Sequence, residues 1–402
     1  MIRHIISNFA QESRTWLCAH QKTTENIYEM NIKTIAAALA MAFVMTPAAL
    51  ANGSAKDGGE VKKQKWTKMA EKAEDAFFTT DEAARIGDNL LYYQHETGGW
   101  PKNMQLQDEL TDKVRKRVDK MKTGRRYATI DNRATSTEMI YLARLYNATQ
   151  DNKYRDAVIR GFGYLFEAQY DNGGWPQFYP LSKGYYTHIT YNDDAMVNVL
   201  KLMRDAAKGK APFAFLPDSI KTKAQASLDR GVDCILKTQV VQNGKKTVWC
   251  AQHDEKTLLP ANARAFELAS LSGQESDDIV LFLMSLSKPS QAIRDCIESA
   301  VAWFKSTKII GKRIERFTNA DGKPDYRVVD CAQDDGPCKP LWARFYTLED
   351  NRPFFCDRDG VMKFDVSEIG YERRNGYSWY NSEGLKVLKK YDEWKKKYGA
   401  GK

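Results

Sequence analysis

The chain has 402 residues, 43% of them hydrophobic, and a formal net charge of +9. That size and apolar content exclude a chain without a real core and allow one large domain or two ordinary ones. The basic balance favours an acidic partner, whether polyuronate, nucleic acid or anionic lipid.

Residues 1–51 do not read as a domain. Lys33 precedes the apolar run TIAAALAMAFV, and TPAALA then ends in Ala49-Leu50-Ala51. A basic start, an apolar middle and a small-residue end make a secretory signal, and the run is short for a membrane span. Met30 is a candidate true start. Cleavage near Asn52 gives a secreted or periplasmic chain. It removes four basic residues (Arg3, Arg14, Lys22, Lys33) and three acids (Glu12, Glu25, Glu29), so the charge becomes +8. Residues 52–66 are polar and rich in Gly and Lys and read as a flexible arm, leaving 67–402 as a single catalytic domain.

Export leaves Cys234, Cys250, Cys296, Cys331, Cys338 and Cys356. Six cysteines permit fifteen connectivities, among which the sequence does not choose. Cys331 and Cys338 flank a short Asp/Gly/Pro loop and are the first choice for a bridge, with free buried thiols as the alternative. No pair has CxxC spacing, which argues against zinc.

Helical periods dominate from residue 79. Thr79 and Glu82 suggest a capping box ahead of Ile86, Leu90 and Tyr93. Apolar stripes follow through Thr135, Met139, Leu142, Ala143 and Tyr146, through Tyr154, Ala157, Val158, Phe162 and Leu165, and through 194–206, 219–238 and 290–306. Each predicts an amphipathic helix. Trp100, Trp175 and Trp249 lie 75 and 74 residues apart, each after a helix that ends near a glutamine: Gln94, Gln169, Gln239. The first two units share Gly-Gly-Trp-Pro; the third keeps only the tryptophan. About 75 residues hold two helices and their loops. The spacing therefore predicts a mainly α protein, an incomplete (α/α) toroid of about three helical hairpins. Near the C-terminus, KIIGKRIERFTNADGKPDYRVVDC alternates around a turn and predicts a small β element. PLWARFYTLEDNRPFFC is strand-like, and a basic helix closes the chain.

Gly-Gly permits backbone angles other residues avoid. Loops of this kind around a toroid mouth could offer Trp100 and Trp175 to sugar rings; the alternative is that these indoles plug helix ends. After each repeated turn comes an acidic loop before an apolar helix: Asp131, Asn132 and Glu138 in YATIDNRATSTEM, then Asn192, Asp193 and Asp194 in YTHITYNDDAMVNV. Such acids cap helices, but equivalent loops from adjacent repeats would also gather carboxylate and amide oxygens, a donor set suited to calcium. Arg352 sits before Pro353, where no helix runs through. The mature chain has three histidines, His95, His188 and His253, and no HExxH, GxSxG or P-loop motif, which leaves those catalytic systems unsupported.

The strings GGWPKN, TIDNRAT, AQYDNGGWPQFYP, ITYNDDAMVNV, ARAFELASLSG and WARFYTLEDNRPFFC together resemble the family 10 polysaccharide lyases, which are pectate lyases. The resemblance spans roughly residues 65–395, with the motifs in order. It implies a pectate lyase that cleaves polygalacturonate by calcium-assisted anti β-elimination and releases unsaturated oligogalacturonides. By motif, Asp131 and Asp193 become the acids at the calcium, with Asn132 helping, and Arg352 becomes the catalytic base, with Asp131 as its catalytic partner. Lys102, Trp175, Asp194, Arg264 and Arg344 become substrate-binding candidates. Arg133 stands where a small residue is expected. The implied partner is pectin rather than nucleic acid or membrane, and the implied state is a monomer. A glycoside hydrolase with Asp131 and Asp193 as acid and base is the rival reading. A binding module that grips polysaccharide without cutting it is another.

Overall fold

A computed structural model describes residues 65–332 and 338–398. The secretory signal over 1–51 and most of the arm lie outside the described residues. The arm ends earlier than expected. Trp66 already begins helix α1 (Trp66–Lys72), is only 4% exposed, and packs its ring 5.3 Å from Tyr141. Burial of so large an apolar side chain makes it part of the core.

The other helices are α2 (Asp81–Tyr93), α3 (Asp112–Lys122), α4 (Ser136–Thr149), α5 (Asn152–Ala168), α6 (Ala195–Ala207), α7 (Asp218–Thr238), α8 (Glu275–Met284), α9 (Gln291–Ser306), α10 (Tyr371–Asn375) and α11 (Gly384–Tyr398). Thr80, not Thr79, caps α2: its hydroxyl accepts from Ala83 N, while Thr79 turns back to Ala76 O. Helices α3 and α8 are absent from the sequence expectation. Only Val118 is buried on α3, whereas α8 is buried on nearly every side, so neither carries a one-sided stripe.

Three hairpins, α4/α5, α6/α7 and α8/α9, stand side by side. Helices α4, α6, α8 and α11 pack in sequence along the inside, and α2, α5, α7 and α9 along the outside, an incomplete (α/α) toroid. The predicted hairpin near the C-terminus is present: strands Lys312–Thr318 and Pro324–Asp330 pair antiparallel about a turn containing Gly322. A disulfide joins Cys331 to Cys338, and Cys234, Cys250, Cys296 and Cys356 are free and buried. A four-stranded sheet (Leu271–Ser272, Phe345–Tyr346, Pro353–Cys356, Met362–Lys363) covers one flank over a second, aromatic core of Phe266, Phe345, Phe354, Phe355 and Trp379.

The repeat is chemical as well as numerical. Each glutamine amide donates twice, to its own turn and to the next outer helix. Gln94 reaches Gly98 O and Ala157 O, Gln169 reaches Gly173 O and Ser227 O, and Gln239 reaches Thr247 O and Cys296 O. Each indole N–H donates to a carbonyl in the last turns of the preceding outer helix: Trp100 to Leu90, Trp175 to Leu165, Trp249 to Ile235. These carbonyls lie beside a helix end, where partners inside the helix run out. A fourth tryptophan makes the same bond, Trp342 to Phe304 O at 3.0 Å, and α11 begins a fourth, half-complete unit. All four indoles are 0% exposed. Trp175 therefore plugs a helix end and has no open face for a sugar ring; its assignment to substrate binding is corrected on that ground, and Trp100 goes with it.

Candidate active site

After each tryptophan the chain returns along the mouth and pairs with it: Thr129 N donates to Trp100 O, Thr190 N to Trp175 O, and Ser272 N to Trp249 O. Asn381 lies opposite Trp342 in the same way. The next residues enter the inner helices α4, α6, α8 and α11. The first two of these loops have matching backbones. Asn132 and Arg133 have φ of 52° and 63°; Asp193 and Asp194 have φ of 52° and 60°. Left-handed geometry at two successive non-glycine residues is uncommon and strained. Neither N-cap, Thr135 of α4 or Asp194 of α6, makes a side-chain cap bond, so the acids of these loops are not spent on capping.

Asp131 is buried, 3% exposed, and the two loops pack against each other. Its Oδ2 accepts from the ammonium of Lys102 and from the amide of Gln177. Lys102 and Gln177 each stand two residues after a repeat tryptophan, so equivalent positions of adjacent repeats converge on one carboxylate. Sequence reasoning missed Gln177, although its position matches that of Lys102 in the two Gly-Gly-Trp-Pro motifs. The fourth repeat repeats the device: Arg344, two residues after Trp342, is 3% exposed and donates to Gln274 Oε1 (3.1 Å), Asn192 Oδ1 (3.4 Å) and Glu275, with Asp193 Oδ1 at 3.7 Å. Asn132 donates to Asn103 Oδ1 at 3.0 Å.

Charges crowd here. Burial first, then Glu275 and Asp131, raise the Asp193 carboxyl above its usual range, while Arg344 and Arg264 oppose them. Asp194 is pushed up to about 7 by burial and by Asp278 and Glu275. Burial alone would lower Arg344, but Glu275, Tyr377 and Asp193 outweigh it and hold it above the ordinary value. Arg264 is held above its ordinary value chiefly by its two-pronged bond to Glu267.

Lys102, Asn132, Asp193 and Asp194 line one cleft of about 580 Å³, together with Arg133, Glu138 and Gln274. Arg133, the unexpected side chain, pairs with Glu71 of α1 while still lining the cleft, where its charge opposes the upward push on the Asp194 carboxyl. Arg352 is placed differently. Its backbone joins Thr347 across a turn, its guanidinium lies 3.5 Å from the centroid of Phe364, and among the described residues no contact joins it to Asp131 or Asp193. Of the three arginines singled out, Arg344 and Arg264 act on Asp193.

The residues present fit a calcium ion. Asp131, Asp193 and Asn132 offer oxygen donors from two loops in contact, the Oε1 of Gln177 beside Asp131 is buried without a partner, and the Lys102 ammonium already occupies the carboxylate as a cation. Paired carboxylates beside fixed cations at the mouth of a helical toroid are the equipment of an enzyme that handles an acidic carbohydrate.

The comparisons define that enzyme. The Pectic acid lyase family model matches residues 94–388. The structure is similar to that of a family 10 polysaccharide lyase from Cellvibrio cellulosa, with 36% sequence identity, TM-score 0.68, and 82% of this chain and 94% of that chain covered. An aspartate-to-alanine mutant of a family 10 polysaccharide lyase from the same organism, in complex with trigalacturonic acid, matches with 36% identity and TM-score 0.67, covering 82% of this chain and 95% of that one. No match was found among curated protein sequences. The chain is a polysaccharide lyase. More particularly, it belongs to the pectic acid lyase family.

Proposed function

We propose that this lyase cleaves polygalacturonate by calcium-assisted anti β-elimination at the mouth between the α4 and α6 loops. The observation that carries this reading is the contact between the Asp131 and Asp193 loops, with the Arg344 guanidinium 3.7 Å from Asp193. The substrate class is supported by the family match and by the trigalacturonic acid held by the similar structure.

In this reading Asp131, Asp193 and Asn132 hold the ion. When bound, calcium supplies positive charge at the uronate carboxylate, making the neighbouring C5–H more acidic. Lys102 and Gln177 fix the orientation of Asp131. Arg344, fixed by Gln274 and Glu275, faces the charge that develops on the substrate, and Asp194 borders the same cleft. An arginine in its neutral form takes the C5 proton, and a C4=C5 double bond forms as the C4–O4 bond breaks. O4 takes a proton from water to leave as the hydroxyl of the released chain, and the arginine then returns its proton to solvent. The motif gives the proton transfer to Arg352. A second reading gives it to Arg264, and the field Arg264 exerts on Asp193 favours that assignment.

Among the described residues no helix is long and apolar enough to cross a membrane. The leader pattern of the sequence supports export to the periplasm or the medium, where the enzyme acts as a monomer on pectin.

The test is ultraviolet absorbance of the unsaturated product. With polygalacturonate and calcium, absorbance grows; a chelator stops it and added calcium restores it. Reducing ends that accumulate without absorbance would instead identify a hydrolase, and binding without turnover at any pH or calcium level a binding module.

A further inference from the structure

One arginine outside the cluster is prepared for a ligand that the reaction centre does not explain. Behind the site, residues 126–131 run antiparallel to 177–182. Ile130 N donates to Gln177 O, Tyr179 N to Ala128 O, and Arg126 Nε to Ser182 Oγ at 3.0 Å. Asp131 touches the Gln177 side chain at one end of this pairing; Arg126 stands five residues away, on the order of 15 Å at the rise of extended chain.

A row of aromatic rings joins the two ends. Lys102, bound to Asp131, lies 5.6 Å from the Phe178 ring centroid; Phe178 meets Tyr186 at 5.3 Å; and the Arg126 guanidinium lies 4.3 Å from the Tyr186 centroid, with Nη1 donating to the Tyr186 hydroxyl at 3.3 Å. Tyr185, 4.2 Å from Tyr186, feels the charge of Arg264. Arg344 and Arg264 are paired with Glu275 and Glu267. Arg126, by contrast, has no ion-pair partner among the described residues, and its Nη2 has no protein partner there. Its side chain is nevertheless oriented, by Ser182 and by the Tyr186 ring.

We propose that Arg126 and Tyr186 form a distal subsite that binds the carboxylate of a uronate residue several sugar units from the bond cleaved. The inference rests on the polyuronate reading above. A guanidinium fork matches a carboxylate in two bonds, and an aromatic face packs against the C–H groups of a sugar ring. A polyuronate presents a carboxylate on every ring, so a substrate chain that runs from Lys102 past the half-buried Tyr186, with buried Phe178 packed beneath, brings one to the exposed Arg126. The unpaired charge also draws the polyanion along the mouth.

Chain length tests this. The ratio of kcat/KM on polygalacturonate to kcat/KM on trigalacturonate is measured for wild type, Arg126→Ala and Arg126→Gln, with calcium saturating. A trimer straddling the cleaved bond does not reach Arg126, so in both variants the ratio falls below one third of the wild-type ratio. Glutamine keeps a donor for Ser182 and guards the comparison against loss of fold. A ratio that stays above one third in Arg126→Gln overturns the subsite. Wild type that turns over neither substrate overturns the lyase reading itself, and this inference with it, a failure visible without any variant.

Discussion

Asp131 is held by side chains from two repeats, Lys102 and Gln177, so its position is set before any substrate arrives. Asp193, less buried, accepts from the Asn192 amide at 2.9 Å and lies 3.7 Å from Arg344, which leaves its remaining lone pairs to complete a shared site across the loop contact. The base is the residue on which motif and geometry part. Arg352 has the motif; Arg264 has the place in the field of Asp193. General-base removal costs on the order of 10²–10⁴-fold in rate. We expect Arg264→Ala to lose kcat on that scale with pectate binding largely kept, and Arg352→Ala to lose less; the reverse order, measured by absorbance at saturating substrate, would return the role to Arg352. An arginine is charged near neutrality, and the Glu267 pair makes Arg264 harder to deprotonate. The base-competent fraction therefore grows with pH, and the rate rises into the alkaline range. A maximum near pH 5 would count against an arginine base.

At the level of elements, the glutamine clamp is what turns separate hairpins into one ring. Gln169 ties the turn after α5 to Ser227 of α7, and its Oε1 accepts from Ser227 Oγ and Arg230. Gly173 beside it has φ of 93°, and a Cβ there would stand 2.0 Å from Arg230 O. That close approach is why a glycine occupies this turn. Gln169→Leu removes the amide and takes away the partner of the Gly173 carbonyl and the acceptor of the buried Ser227 hydroxyl, a loss of about 1–3 kcal/mol for each group left unpaired. We expect the urea midpoint to fall accordingly, with calcium demand rising as well because Trp175 and the α6 loop share the same turn. A midpoint within error of wild type would show that hairpin packing alone sets the ring.

For the whole molecule, pH acts through groups held in the wrong charge state for water. His253 is fully buried, donating to Leu258 O and accepting from Cys250 N, and burial lowers it to about 4. The unfolded chain takes up a proton below about 6.5, the fold only near 4, so stability is complete above 6.5 and is lost as pH falls through 4. The difference is worth up to about 3 kcal/mol. Asp277 works in the other direction. Burial, then Asp278 and Asp194, push it up to about 8. The fold keeps a proton that the unfolded chain has released above about pH 4, so this contribution fades as pH rises through 8. Asp277→Asn should therefore gain melting temperature relative to wild type as pH moves from 5 to 9; an equal difference at both pH values would refute the shift.

The toroid was legible in the sequence because its parts are local. A helix announces itself by an apolar stripe, and the tryptophan spacing and shared Gly-Gly-Trp-Pro announce a repeated unit. The acids of the two loops were legible for the same reason, since equivalent loops of one repeat point to one mouth. Three things lay beyond a local pattern. The fourth unit was hidden because the 312–330 hairpin stretches the spacing from Trp249 to Trp342. The burial of Trp100 and Trp175 depends on carbonyls of helices that precede them by ten residues, which spacing does not reveal. The choice among Arg264, Arg344 and Arg352 depends on which side chains the closing sheet brings to Asp193. By itself the sequence determined the helices, their repeat and the donor chemistry, because neighbours along the chain carry that information. The tertiary structure alone decided which charges meet, because Coulomb interaction depends on distance in space.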